Sequence, residues 1–274
     1  MKKWIFILFI IISFPFAAAL WVWWQIPSEK EIRGCIVTQM FQVNLCPKNT
    51  SYVRLKDIST HLQKSVVLTE DSLFWQHQGF DWDSIKKNYE ENKKAGRYRR
   101  GGSTISQQLA KNMFLTSEKT LIRKMLEALI TIRIERYLTK KEILERYLNV
   151  IEFGKNIYGI KQASQHYFKK HPSQLSIVES AFLVMLLPNP KKYSASFYRK
   201  ELTPFAAKRI RQIINNLYQF QRISEEQYSM ALVDLETFFT PQLKVDTETE
   251  VEDIDLNTLT LEKLEIESEI EDRF

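Results

Sequence analysis

The sequence predicts a mainly α-helical domain preceded by one membrane-crossing helix. Three observations lead there. Residues 4 to 24 form an uncharged run of 21 residues, where about 20 suffice to cross a bilayer. From Val66 to Phe239 apolar residues recur at three and four spacing, with few β-branched alternations. Only seven glycines occur in 274 residues, well below the roughly 7% that is usual. No GxGxxG or GxxxxGK[ST] string is present, so a nucleotide-cradling α/β fold loses its support.

Taken in order, Lys2 and Lys3 precede the apolar run, and Ala17-Ala18-Ala19 offers a signal-peptide cleavage site as the competing reading. The run continues through Leu20, Trp21, Val22, Trp23 and Trp24, and tryptophans favour the interface where a spanning helix leaves the bilayer. The anchor is the better reading. With the positive residues kept inside, everything after Trp24 faces outward. Cys35 and Cys46 are too few for a zinc ribbon; they close a disulfide on an oxidising side or stay as two thiols. The chain thus divides into a cytoplasmic stub and transmembrane anchor (1–25), a juxtamembrane segment (26–55), one catalytic-sized domain (56–240) and an acidic tail (241–274). That domain buries a full core but leaves no room for a second large one.

Within it, helices are expected near Ser103 to Leu115, with Ile105, Leu109 and Met113 on one stripe, and over Leu121 to Tyr137. Others follow at Lys140 to Asn149 with Thr139 as N-cap, at Ser176 to Leu187 behind a Ser176/Glu179 capping box, and, as the last, at Pro204 to Tyr218. Residues 246 to 274 hold 12 Asp/Glu against 2 Lys/Arg, a composition that favours disorder. The net charge of +6 therefore hides a body of 37 − 21 = +16 over residues 1 to 245. Such a body suits anionic lipid, diphosphate or nucleic acid alike.

Four segments can carry chemistry. Glu70-Asp71 lies between Val66-Val67-Leu68 and Phe74-Trp75, with His77 beyond. Apolar flanks desolvate a carboxylate and raise its pKa toward a useful general base; the alternative is an acidic pair complementing a helix N-terminus. Arg100-Gly-Gly opens the next helix, on which Thr104, Gln108 and Lys111 share a face. That face suits a sugar diphosphate, or solvent. Arg123, Lys124 and Glu127 interrupt a helix otherwise made of Leu121, Ile122, Met125, Leu126, Leu129, Ile130 and Ile132. So narrow a charged face points into a cleft, or else is an i, i+4 surface pair of little worth. Tyr147 and Asn149, with Gly154, end the following helix and read as site residues or a polar cap.

Together these segments resemble the peptidoglycan glycosyltransferase family, whose lysozyme-like domain polymerises lipid II. Glu70 through Asp81 resembles its first motif, and Gly101 to Asn112 its second almost letter for letter. Arg123-Lys124-Met-Leu-Glu127-Ala128 resembles the third, Lys141 through Tyr147-Leu-Asn149 with Gly154 the fourth, and Ala163 through His166-Tyr-Phe168-Lys-Lys170 the fifth. Lys169 departs from the pattern: it stands where the fifth motif usually has Gly, which questions the local turn. Ser84-Ile-Lys-Lys87 is the only usable SxxK-like string and no KTG or KSG follows, so the resemblance is to the stand-alone, monofunctional, membrane-anchored form.

The resemblance implies Glu70 as general base on the 4-hydroxyl of the acceptor's N-acetylglucosamine, with inversion at the donor's anomeric carbon and departure of undecaprenyl diphosphate. It implies that Lys111, Arg123 and Lys124 stabilise that leaving group, and that Glu127 assists by orienting them or by binding a divalent cation, Mg or Mn, at the diphosphate. Thr104, Gln108 and Asn112 would position sugar or phosphate, while Asp71, Phe74, His77, Tyr147 and Asn149 would complete and shape the substrate site. The implied partners are lipid II, the growing glycan strand, membrane lipid, and cell-wall synthesis or division proteins, with no nucleic acid and no organic cofactor. The implied location is the bacterial inner membrane, single-pass, with the domain outside. Seven Lys/Arg between Asp81 and Arg100 would sit at headgroups. A lysozyme-like hydrolase and a non-catalytic wall scaffold are the competing classes.

Overall fold

The computed structural model describes residues 20–96 and 102–239. The expected membrane run lies outside these up to residue 19, as do residues 97–101 and the acidic tail. Residues 20–25 are helical, with Trp23 and Trp24 well exposed. Among the described residues no helix is long and apolar enough to cross a membrane.

The body is mainly helical, as expected. Its longer helices are α2 (Thr60–Glu70), α3 (Trp82–Ala95), α4 (Ile105–Phe114), α5 (Leu121–Tyr137), α6 (Lys140–Val150), α7 (Gly159–Phe168), α8 (Ile177–Leu186), α11 (Pro204–Gln219) and α12 (Glu225–Glu236), with short α1 (Glu29–Arg33), α9 (Pro190–Tyr193) and α10 (Ala195–Arg199). Hydroxyl caps set many of the starts. Thr104, Thr139, Ser176 and Ser224 each accept a backbone N–H from the third residue on, and the side chain of that residue returns the bond to the cap. Each such cap stabilises its helix by about 1 kcal/mol. Pro204 sits in the first turn of α11, where its missing N–H costs nothing. The helix expected as the last is followed by α12, whose Ser224/Gln227 capping box is itself readable in the sequence.

Two helix groups meet at the functional region. Helix α4 packs against α5 and α6, whereas α8 packs against α2 and α11. Ile105, Leu109 and Met113 on α4, Ile130 and Ile134 on α5, and Phe182 through Leu186 on α8 are all essentially without solvent contact. Each large apolar side chain buried in this way contributes about 1.5–3 kcal/mol. Glu70 ends α2, and therefore enters the seam from the second group toward α4 of the first.

The segment expected as a juxtamembrane connector is packed onto this body. Ile32, Leu45 and Val53 are buried. Cys35 and Cys46 are joined as a disulfide that closes a small antiparallel ladder of β1 (Ile36–Val37) and β2 (Asn44–Leu45). Gln39 N–H donates to the Met113 carbonyl at 3.1 Å, satisfying an end of α4 that otherwise lacks an intrahelical partner. From α6, Arg146 donates to the carbonyls of Arg33 and Gly34. Glu145 accepts from Tyr52 Oη and Leu55 N–H, both at 2.7 Å.

A second ladder, β3 (Glu152–Gly154) with β4 (Ile157–Tyr158), leads into α7. Gly154 is required there, because a Cβ would stand 2.4 Å from the Tyr167 hydroxyl. Lys169 ends α7 at φ 57°, ψ 28°. The turn that glycine usually makes in the fifth motif is thus made by lysine in the left-handed region, at a cost to the backbone.

Candidate active site

Asp71 organises the seam. Its Oδ2 accepts the N–H of Ile105 at 2.9 Å, and its Oδ1 lies 2.8 Å from His77 Nε2. His77 Nδ1 accepts from Gly79 N–H at 3.1 Å, so in the neutral ring the proton sits on Nε2 and is donated to Asp71. The carboxylate meets the first N–H of α4, where the helix dipole favours negative charge. Complementing a helix N-terminus, the alternative considered for the acidic pair, is thus what Asp71 does and Glu70 does not. Burial raises the Asp71 pKa, with the bonds from His77 and Ile105 opposing.

Because Asp71 fixes the start of α4, Gln108 comes opposite Glu70. Gln108 Nε2 donates to Glu70 Oε2 at 3.0 Å, and Tyr147 Oη donates to Gln108 Oε1 at 3.0 Å. The phenol fixes which end of the amide faces the acid. Tyr147 is fully buried, and burial holds its pKa well above the ordinary phenol value. Glu70 keeps some exposure as a residue, but its carboxyl is enclosed. Desolvation is the largest influence and raises its pKa above 4.5, while Gln108, Arg209 and Lys111 pull it back and the charge of Asp71 adds to the rise. A carboxyl bonded to one neutral amide, with cations near but not paired to it, is a desolvated acid of raised pKa, the character a general base needs.

The second acid is held differently. Glu127, at 2% exposure, places Oε2 2.8 Å from Arg123 Nη1 and Oε1 against Lys124 Nζ. Lys124 Nζ also reaches Ser103 Oγ at 3.2 Å. Arg123 Nε is buried with no partner among the described residues, a donor left over after Glu127 is satisfied. Lys111, on α4, lies within the fields of both acids. Burial lowers its pKa, Glu127 and Glu70 oppose that, and Arg123 and Lys124 add to it. Three cations against one carboxylate leave a local excess of 3 − 1 = +2, which suits an anion of diphosphate charge.

On α5 the stripe of Leu126, Ile130 and Ile134 packs inward beside Glu127, and a second apolar side faces outward. Leu121, Ile122, Met125 and Ile132 are more than half exposed, and Arg133 lies 5.6 Å from the Trp23 ring centroid. Of the narrow charged face expected to enter a cleft, Glu127 is buried and Arg123 mostly so, while Lys124 is exposed.

Several residues expected to touch substrate have internal partners instead. The Thr104 hydroxyl donates to the Gly79 carbonyl at 2.6 Å and accepts from Gln107 N–H. It is a buried helix cap and does not share the open face of Gln108 and Lys111. Asn149 pairs with Val53 through both ends of its amide, at 2.8 Å each. Phe74 has no exposed surface, and Lys140 Nζ sits 4.7 Å above its ring. Asn112 is buried on α4. With Asp71 and His77, these side chains build the frame that aims Glu70, Gln108 and Lys111.

A divalent cation at the diphosphate would find one carboxylate here, Glu127, and both its oxygens are engaged by cations. Among the described residues no group of three His, Cys, Asp or Glu side chains is arranged for a metal. A diphosphate-bound Mg needs only one or two carboxylates beside the phosphate oxygens, so Glu127 would hold it by giving up its contact with Arg123 or Lys124.

Two contributors escaped the sequence reading: Ser103, through Lys124, and Arg209 on α11, whose charge reaches Glu70. Arg209 follows buried Ala206 by three and precedes buried Ile213 by four, so it lies on the stripe that packs inward. That spacing was the available signal.

Residues 37–218 match the family described as Transglycosylase, and the chain belongs to that family. It is 37% identical over 227 residues to a protein of Nitrosospira multiformis named biosynthetic peptidoglycan transglycosylase, covering 79% of this chain and 96% of that one. A protein of the same name from Methylobacillus flagellatus is 42% identical over 175 residues, 63% of this chain and 76% of its own. The crystal structure of penicillin-binding protein 1A from Haemophilus influenzae aligns at 26% identity over 47% of this chain and 15% of that one, with a TM-score of 0.28, too low to bear on the fold.

Proposed function

We propose that this chain polymerises lipid II into linear glycan strands of peptidoglycan. The observation that carries the reading is the pairing of two unlike centres across Lys111: an enclosed, proton-exchanging Glu70 and a cation cluster around Glu127. Glu70 takes the proton of the acceptor's 4-hydroxyl as that oxygen forms a bond to the donor's anomeric carbon. The bond from that carbon to the diphosphate oxygen breaks on the opposite side, with inversion, and undecaprenyl diphosphate leaves with the electron pair. Lys111, Arg123 and Lys124 meet the growing negative charge in a partly desolvated site, where such preorganised donors act most strongly. Glu127 keeps the two cations of its own helix aimed.

A lysozyme-like hydrolase expels a neutral hydroxyl that must be protonated, and has no use for a +2 excess at the leaving group. Incubating the purified protein with labelled lipid II decides between them. Polymer is expected from lipid II, and no soluble fragments from lipid-free strands; the reverse result assigns the hydrolase.

The same reading puts the catalytic body outside the inner membrane, anchored by residues 1–25. The disulfide fits an oxidising compartment. The exposed apolar side of α5 and the exposed tryptophans suit a lipid surface from which a lipid substrate is drawn. Intact mass is expected to place the N-terminus at or near Met1, and a species cleaved after Ala19 would replace the anchor by a signal peptide. Cell-wall synthesis or division proteins are the protein partners this role calls for.

A further inference from the structure

One concave surface shares no residue with the Glu70 site. It is a groove of about 730 Å³ walled by α7, the turn after it, the tip of the β3–β4 ladder and residues 50–51. That volume is within the roughly 300–1,000 Å³ typical of ligand sites. Its lining carries Lys161, Lys169, Lys170, His166 and His171, and among the described residues no carboxylate. Lys170 is paired to Glu179 at 2.7 Å, but Lys161 donates only to the Thr50 carbonyl, so its charge is not cancelled. Lys169 has no ion pair among the described residues, and occupies a left-handed backbone position that glycine would hold without strain. The chain thus places an extra cation at the groove at an energetic cost, at the very point where it departs from the fifth motif.

The rest of the lining is amide and hydroxyl: Asn156, Gln162, Gln165, Thr50 and Ser51, with Ile157 and Pro172 as the apolar members. A protein partner needs large apolar anchors, which this groove lacks. A hydroxyl-rich ligand bearing carboxylates fits it better, through hydrogen bonds and unpaired lysines. We propose that the groove holds the glycan strand by the carboxylates of its stem peptides, a second site for the polymer that the Glu70 site makes. The identity of the strand rests on the polymerase reading; the carboxylate preference rests on the groove alone. Holding the strand here keeps the product on the enzyme and lengthens it.

The test compares the full chain with a Lys161→Ala/Lys169→Gly variant, in which glycine relaxes the turn while removing the charge. Affinity for lipid-free glycan strands carrying stem peptides is measured by fluorescence anisotropy beside amidase-treated, stem-free strands and poly-glutamate. The variant, and removal of the stems, are each expected to weaken binding about five- to tenfold, with the wild-type affinity falling as salt is raised. The initial rate of lipid II consumption is expected to stay unchanged while product strands shorten. Equal affinity of variant and wild type, or of stem-free and stem-bearing strands, overturns the proposal. Tighter binding of poly-glutamate than of strands overturns it in favour of an acidic protein. If lipid II is not consumed by the wild type, the polymerase reading fails, and the strand-binding comparison still reads out by itself.

Discussion

Glu70 and Glu127 are both enclosed carboxylates on helices that flank α4, and their surroundings differ in kind. Glu70 is bonded to a neutral amide, whose far end is held by a neutral phenol. Glu127 is bonded to two cations of its own helix. A carboxyl desolvated among neutral donors has its pKa raised, as a general base needs, whereas one held between two cations serves to orient them. Two acids given unlike environments take unlike roles, and Lys111, which feels both, is the residue through which they share one substrate.

The strongest way to break this contrast is Glu70→Gln, which keeps shape and removes the base. Polymerisation is expected to fall about 10³-fold with lipid II binding retained; turnover near wild type would remove Glu70 from the chemistry. The same variant should be more stable at neutral pH. The folded Glu70 pKa is raised above 4.5 by burial, so its favourable contribution is complete below that value and is lost as pH rises through the folded pKa. Above it the buried carboxyl must either keep its proton or carry a desolvated charge, and Gln, which does neither, is expected to raise Tm by about 2–4 °C at neutral pH. The gain should vanish in scans below pH 4.5.

At the other centre, Arg123→Ala removes the cation with a spare buried donor and is expected to cost about 10²–10³ in kcat on lipid II. Loss of affinity alone, with kcat intact, would assign Arg123 to ground-state binding. Glu127→Gln should cost less, about 10- to 100-fold, since the cations remain but lose their aim. Its far-ultraviolet circular dichroism is expected to match wild type. An unfolded variant would make Glu127 a structural residue instead.

The contrast was half legible in the sequence. The inward placement of Glu127 on α5 followed from three charges on an otherwise apolar helix, and the desolvation of Glu70 from its apolar flanks. The division of labour between Glu70 and Asp71 was not legible, because adjacent residues of the same charge differ only in which helix end each one meets. Asp71 reaches the first N–H of α4, 34 residues on, a pairing that depends on how the two helix groups meet. Thr104 was misread for a related reason. Its spacing from Gln108 and Lys111 puts it on their face only if the helix already runs through it, and it is the cap. The helices themselves, set by local caps and periodicity, were largely readable. Helices α2, α3, α7 and α12 were not individually expected, although the Ser224-x-x-Gln227 signal of α12 is of the same kind. Contacts between segments far apart in the chain, such as Arg209 with Glu70 or Asn149 with Val53, carry no local signature beyond a polar residue on a buried stripe.

The smallest expected effect tests the tuning of Glu70 itself. Gln108 donates to the ionised carboxylate and so lowers its pKa against the larger effect of burial. Gln108→Leu removes the donor, and the Glu70 pKa should rise further. A hydrogen bond to a charged group is worth enough to move the acidic limb of the kcat/KM profile by about one pH unit. Since the base must be ionised to act, the variant is expected to lose rate on the acidic side of its profile and to recover it as pH is raised past the shifted limb. Tyr147→Phe keeps the amide but frees its orientation, and should move the limb the same way by only a few tenths of a unit, about what a neutral hydrogen bond beyond the carboxylate can transmit. A loss of equal size at every pH for Gln108→Leu would mean that the amide holds the sugar rather than sets the base, and the neutral environment of Glu70 would then no longer explain its difference from Glu127.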